Sequence, residues 1–375
     1  MLVLRADPDM SRTTDRRVDP EGSPRAVVVD DSPFMRGLIA DLLTDGGVSV
    51  VGEAGDGAEA VRVVARERPD VVTMDVEMPG MNGIEAVERI MAETPTPVLM
   101  LSAYTDEGAS VTFEALERGA IDFFAKPGGE ISTGVSQQAD RLVKAVRSVA
   151  DADLDAVVRD GTESMAGTVD TADTTNTATP RATRNAEEPL TVVIGASTGG
   201  PNAVERVMSA LPAMDCRVLI VQHMPEAFTA RFAARLDAAS AYDVSEATDG
   251  ARVGSGEAVV ARGGTHMEVT GYRAGRLRIG LEADDSLPVA PAVDVTMRSA
   301  AETIDDPLVG VILTGMGSDG AAGIRAMADA GARTLAQSEE TCVIYGMPKR
   351  AVETGAVDEV RDLDGVAEAI VGGGA

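Results

Sequence analysis

The sequence predicts an α/β protein of two doubly wound, mainly parallel domains joined by a flexible linker. Three observations carry this. Short β-branched runs alternate with segments whose apolar residues recur every three to four positions, first over residues 25–148 and again over 189–375. Between them, residues 149–188 lose apolar periodicity and fill with Thr, Ala, Asp and Gly. At 375 residues and 44% hydrophobic content, the chain exceeds one ordinary domain and can build proper cores.

Residues 1–24 are polar, rich in Asp and Arg and aperiodic, and are expected to form a disordered extension. The runs AVVVD, VSVVGEA, DVVTMD, PVLMLS and AIDFFA then read as strands, with PFMRGLIADLL and GIEAVERIMAE as intervening helices, which makes five βα units. A flexible linker of the length that follows has a root-mean-square span of roughly 35 Å. That reach lets one domain dock on the other and leave it. In the second half TVVIGAS, RVLIVQH, PLVGVILTG and ARTLAQ read as strands, and PNAVERVMSAL and PAVDVTMRSAAETI as helices. The glycine-rich middle, with EAVVARGGTHMEVTGY and RLRIGLE, predicts an antiparallel insertion around 257–282.

Composition excludes several classes. The net charge is −28, and only Lys126, Lys144 and Lys349 are lysines, so no basic surface exists to displace phosphate counterions and nucleic acid is not an expected partner. A carboxylate-rich, lysine-poor surface suits a halophilic setting, where concentrated salt screens self-repulsion; the alternative is an ordinary acidic protein. Aromatics are 3% with no Trp, so the cores are built from Val, Ile, Leu, Ala and Met. Cys216 and Cys342 lie in apolar company and read as reduced thiols of a cytoplasmic protein. No signal peptide and no membrane span are expected.

In parallel α/β sheets chemistry gathers beyond the carboxyl ends of the strands. In the first half Asp30 and Asp31 end the first strand, Asp75 the third and Ser102 the fourth, and Lys126 with Pro127 follows the fifth. One such Asp is commonly a helix N-cap. Three carboxylates, a hydroxyl and an ammonium at one edge instead fit a hard divalent cation and phosphoryl chemistry. With DVEMPGMNG, these residues resemble a response-regulator receiver domain over about residues 25–148. The resemblance implies that Asp75 accepts phosphate from a histidine kinase and that Asp30, Asp31 and Asp75 hold Mg²⁺. It further implies that Ser102 and Lys126 bind the phosphoryl group and that Phe123 is the switch aromatic.

In the second half Gly195-Ala196-Ser197-Thr198-Gly199 fits G-x-S-x-G between a strand and a helix. A nucleophilic Ser197, an N-cap at Ser197 or Thr198, and a phosphate-cradling loop compete; the glycine spacing lacks the nucleotide-binding patterns. A serine nucleophile needs a base, and the chain has only His223, at the end of RVLIVQH, and His266, in the less regular middle. Asp319, in the turn after PLVGVILTG, is placed to orient the imidazole or to cap a helix. The order Ser, His, Asp is not that of α/β-hydrolases.

The motifs IGASTGGP, VQHMP, ARGGTHM, PAVDVTMRSAA, LTGMGSDGAAG and YGMPKRAV resemble the CheB chemotaxis methylesterase family. The resemblance implies hydrolysis of glutamyl methyl esters on chemoreceptors, and deamidation of receptor glutamines by the same acyl chemistry. Ser197 is then the nucleophile, His223 the base and then acid, Asp319 the orienting carboxylate and Met316 a backbone donor to the oxyanion. No cofactor is implied in the esterase site. Arg262 stands where the family usually has Pro, which bears on a loop near the site. The resemblance also implies that the unphosphorylated receiver covers the catalytic cleft. The rival reading is a non-enzymatic adaptor, against which the intact Ser/His/Asp set speaks.

Overall fold

The computed structural model describes residues 22–102, 106–126, 135–154, 189–284 and 286–372. Most of the expected extension (1–24) and linker (149–188), together with Pro127, lies outside the described residues. In the first half β1 (Arg25–Val29), α1 (Pro33–Asp45), β2 (Ser49–Ala54), α2 (Gly57–Glu67), β3 (Val71–Asp75), α3 (Gly83–Glu93), β4 (Val98–Ser102), α4 (Asp106–Glu117), β5 (Asp122–Ala125) and α5 (Val135–Ala150) alternate strictly. The strands form a parallel sheet in the order β2-β1-β3-β4-β5. Strands β3 and β4 are buried throughout, which is why their sequences are near-continuous apolar runs. Ser32, Asp56 and Asn82 cap α1, α2 and α3 by accepting first-turn N–H groups, so Asp30, Asp31 and Asp75 do not serve as caps for these helices.

The second half comprises β6 (Leu190–Ala196), α6 (Gly200–Ala210), β7 (Cys216–Gln222), α7 (Glu226–Ala239), β8 (Asp243–Glu246), β9 (Arg252–Val253), β10 (Glu257–Val260), β11 (His266–Arg273), β12 (Arg276–Glu282), α8 (Val293–Thr303), β13 (Leu308–Ile312), α9 (Ala321–Asp329), β14 (Arg333–Gln337), α10 (Met347–Glu353), β15 (Glu359–Arg361) and α11 (Leu363–Gly372). Seven strands make a second parallel sheet, β15-β14-β13-β6-β7-β10-β8. Its edge strands β8 and β15 are short and polar, which blunts edge pairing and also hides them from a periodicity reading.

The antiparallel insertion is smaller than expected. Strand β10 belongs to the parallel sheet, between β7 and β8, because EAVV is an apolar run buried from Ala258 onward. The antiparallel sheet is β11-β12-β9, whose longer strands keep an exposed face.

A fully buried arginine fastens this small sheet to the large one. At the start of β7, Arg217 pairs with Asp306 at 2.8 Å and donates to the carbonyls of Pro189 (3.1 Å) and Gly275 (2.9 Å). Its guanidinium lies 4.9 Å from the Tyr272 ring centre, and the Tyr272 hydroxyl donates to the same Asp306. Removing one partner of a buried pair strands the other charge. Asp306→Ala is therefore expected to lower unfolding free energy by about 3 kcal/mol, measured by chemical denaturation in concentrated salt.

Candidate active site

Strand β6 lies between β7 and β13, with Ala196 opposite Gln222 and Gly195 opposite Ile312. The chain goes from β6 to β7 on one side and later reaches β13 on the other, so this edge is the sheet's switch point, the place where sheets of this kind take their ligands. Ser197, His223 and Asp319 are delivered there by β6, β7 and the loop after β13.

The turn that carries Ser197 is held by its backbone. Its N–H donates to Thr314 O (3.0 Å), and its carbonyl accepts from Gly200 N–H (2.7 Å) and Gln222 Nε2 (2.8 Å). Helix α6 is capped by Gly199 at φ 74° with no side-chain cap bond, so neither Ser197 nor Thr198 serves as its N-cap. Glycine is also required beside the serine: a Cβ on Gly315 would lie 2.7 Å from the Ser197 Cβ.

His223 donates its backbone N–H to Ala196 O (3.0 Å), which places it next to the serine turn. Its Nε2 donates to Asp319 Oδ2 at 2.8 Å. Asp319 also accepts the N–H groups of Val293 (2.7 Å), Asp294 (3.0 Å) and Gly320 (3.0 Å). Burial alone would raise the Asp319 carboxyl, but His223 and the N–H groups of Asp294 and Val293 hold it below the ordinary carboxylate range. The cap expected as the alternative for Asp319 is present as well, on α8 rather than on its own helix.

Among the described residues no hydrogen bond joins Ser197 Oγ to His223, and such contacts are commonly long before substrate binds. Met316 follows Gly315 on the same loop, and among the described residues its N–H has no hydrogen-bond partner. Thr314 steadies that loop, accepting Ile344 N–H on Oγ1 (2.9 Å) and giving its own N–H to Gln337 Oε1 (2.8 Å). His266 is a buried structural histidine: Nδ1 accepts Ala292 N–H (3.1 Å) and Nε2 donates to Asp284 O (3.1 Å). Arg262 is exposed and paired with Glu226, where the backbone at Gly263 packs against the Met224–Glu226 turn that follows His223.

The edge of the first sheet holds the second constellation. Lys126 Nζ lies 2.8 Å from Asp30 Oδ2 and 2.7 Å from Asp75 Oδ1. Burial raises Asp75 above the usual carboxylate range against the opposing pull of Lys126. Carboxylate oxygens of Asp30, Asp31 and Asp75 lie within 4.8 Å of one another. Ser102, fully buried, ends β4, and its carbonyl accepts the Lys126 N–H (2.8 Å). One ammonium for three carboxylates leaves an all-oxygen site with excess negative charge, which fits a hard divalent cation.

The two sheets meet through α4, β5, α6 and α7. Phe123 packs on Phe228 with ring centres 4.3 Å apart, and Phe113 lies against both Phe228 (6.4 Å) and Phe232 (6.0 Å). Asn202 Nδ2 donates to Leu116 O (3.3 Å), and Arg235 pairs with Glu205 on one side and approaches Glu117 (3.7 Å) on the other. Asp122 accepts Phe123 N–H (2.9 Å) and a hydrogen bond from the Thr198 side chain, one residue from Ser197. Asp122, Gln222 and Asp294 do not stand out in the sequence. The only signals were a polar residue inside AIDFFA, the Gln of VQHMP and the Asp of PAVDV.

Residues 192–370 match the CheB methylesterase family model, and residues 26–133 match the response regulator receiver domain. A protein-glutamate methylesterase/protein-glutamine glutaminase of Haloarcula marismortui is 60% identical over 358 residues, covering 92% of this chain and 96% of that protein. The protein of the same name from Pyrococcus horikoshii is 43% identical over 350 residues, covering 92% of each chain. The catalytic domain of Thermotoga maritima CheB methylesterase is 37% identical and covers 50% of this chain and 99% of its own, with a TM-score of 0.47.

Burial pushes the Asp122 carboxyl up to about 7, against the lowering effect of its hydrogen bonds. The docked form therefore holds the proton more tightly than an undocked carboxyl at 3.8, so this contribution to docking is full below 3.8 and is lost as pH rises from there to about 7. With dyes on introduced surface cysteines, Cys216 and Cys342 being buried, energy transfer between the two halves is expected to fall as pH rises from about 4 to about 7 and to level off above that. It is expected to stay flat over the same range in Asp122→Asn.

Proposed function

This chain belongs to the CheB methylesterase family, and from that premise we propose that it hydrolyses glutamate methyl esters on chemoreceptors, releasing methanol, and deamidates receptor glutamines. The observation that carries the reading is the 2.8 Å bond from His223 Nε2 to Asp319 beside the Ser197 turn. That bond fixes the tautomer and leaves the lone pair on Nδ1. Ser197 Oγ attacks the acyl carbon as its proton passes to Nδ1, and the imidazolium is stabilised by Asp319. The Met316 N–H serves the oxyanion, a contribution of about 3 kcal/mol. His223 returns the proton to the departing methanol, or to ammonia from a glutamine. A water deprotonated by the same nitrogen then frees the new carboxylate.

In the receiver half, Asp75 is the phosphoacceptor for a histidine kinase, with Lys126 and Ser102 neutralising and orienting the phosphoryl oxygens. Asp30, Asp31 and Asp75 would hold Mg²⁺, which supplies charge stabilisation for phosphoryl transfer. Phe123 couples that pocket to the catalytic half through its packing on Phe228. The docked arrangement is the unphosphorylated, inhibited one, and phosphorylation shifts the population toward an open one. We place the protein in the cytoplasm, acting on the exposed helices of membrane receptors. No helix among the described residues is long and apolar enough to cross a membrane.

Methanol release from methylated receptor membranes in concentrated salt is expected to fall by a thousandfold or so in Ser197→Ala. Equal release by both proteins would return the reading to the non-enzymatic adaptor. Residues 189–375 alone are expected to outpace the unphosphorylated full chain; equal rates would remove autoinhibition from the account.

A further inference from the structure

We propose that Asp294 is a positioning residue for this site: the carboxylates of Asp294 and Asp319 cap each other's helices, and the exchange holds Asp319 against His223. Asp294 sits in the first turn of α8 and gives its N–H to Asp319 Oδ1 at 3.0 Å. Its own Oδ1 accepts the N–H groups of Gly320 (2.9 Å) and Gly323 (2.6 Å) at the start of α9. Neither α8 nor α9 has a side-chain cap from its own N-cap residue, Ala292 or Gly320. The unpaired N–H groups of each first turn are therefore served across the gap.

The chain leading to Asp319 needs such a tether. It passes through Gly315 and Gly317, Gly320 follows directly, the last two are at positive φ, and the segment has little stiffness of its own. The helix starts are also close: a Cβ on Gly323 would lie 3.1 Å from the Asp294 Cα and 3.2 Å from its Oδ1. Two neighbouring carboxylates repel, and two facing helix N-termini offset that cost. Burial, with Asp319 adding its charge, raises the Asp294 carboxyl, while the Gly323 N–H and Arg298, 3.8 Å away, act against the rise. What the arrangement uses is the capacity of Asp294 to accept two hydrogen bonds, which an asparagine also has.

The inference rests on the reading of Ser197, His223 and Asp319 as one catalytic unit, and the test separates the two. In the full-length chain, Asp294→Ala is expected to lower kcat about tenfold or more with KM within about twofold, whereas Asp294→Asn stays within about threefold of the parent. The chain has two histidines, so ring ¹⁵N spectra in alkaline salt report the tautomer of each without any turnover. His223 is expected as the Nε2–H form in the parent and in Asp294→Asn, and as a mixture in Asp294→Ala. His266, whose Nδ1 accepts the Ala292 N–H, is expected unchanged in all three and so reports an intact start of α8. A parent-like His223 in Asp294→Ala overturns the proposal. So does a joint shift of both histidines, which would mark a merely structural role, or loss of the tautomer in Asp294→Asn.

Discussion

The hydrogen bond from His223 Nε2 to Asp319 exists because β6, β7 and β13 run side by side in the same direction. A parallel strand hands its next residue to the same edge as its neighbours do, so groups 96 residues apart in the chain reach hydrogen-bond distance without a long loop. The rest of the second sheet serves that edge. Gln222 and Thr314 tie down the Ser197 turn, the glycines on either side let backbone approach backbone, and Arg217 anchors the far end of the same strands.

The same rule operates once more in the first half. Asp30, Asp75 and Lys126 converge beyond β1, β3 and β5, and their charges do not balance without a cation. Between the two edges lies an interface whose centre is aromatic, in a chain with only six Phe and four Tyr. Phe113, Phe123, Phe228 and Phe232 are four of those six, so aromatic area is concentrated where one half touches the other. The Asp122 to Thr198 contact brings that interface to within one residue of Ser197.

Much of this was legible in the chain, for a physical reason. Parallel βα units alternate on a short, regular period, so the ends of AVVVD, DVVTMD, TVVIGAS and RVLIVQH are marked, and Asp30, Asp75, Ser197 and His223 stand at those ends. Periodicity failed where it carries no information. EAVV reads as part of the antiparallel insertion because a short buried run does not state its partner's direction, and DVSE and EVR are too short and polar to stand out.

Local pattern and composition were enough for the two doubly wound α/β domains, the acidic surface and the candidate site residues at or just beyond strand ends. Only the tertiary structure decided which nitrogen of His223 meets Asp319, that Asp319 caps α8, that Asp294 returns the favour to α9, and that Asp122 reaches Thr198. Each of these is a contact through space between segments that no sequence spacing relates. Local propensity is blind to them, and packing alone selects them.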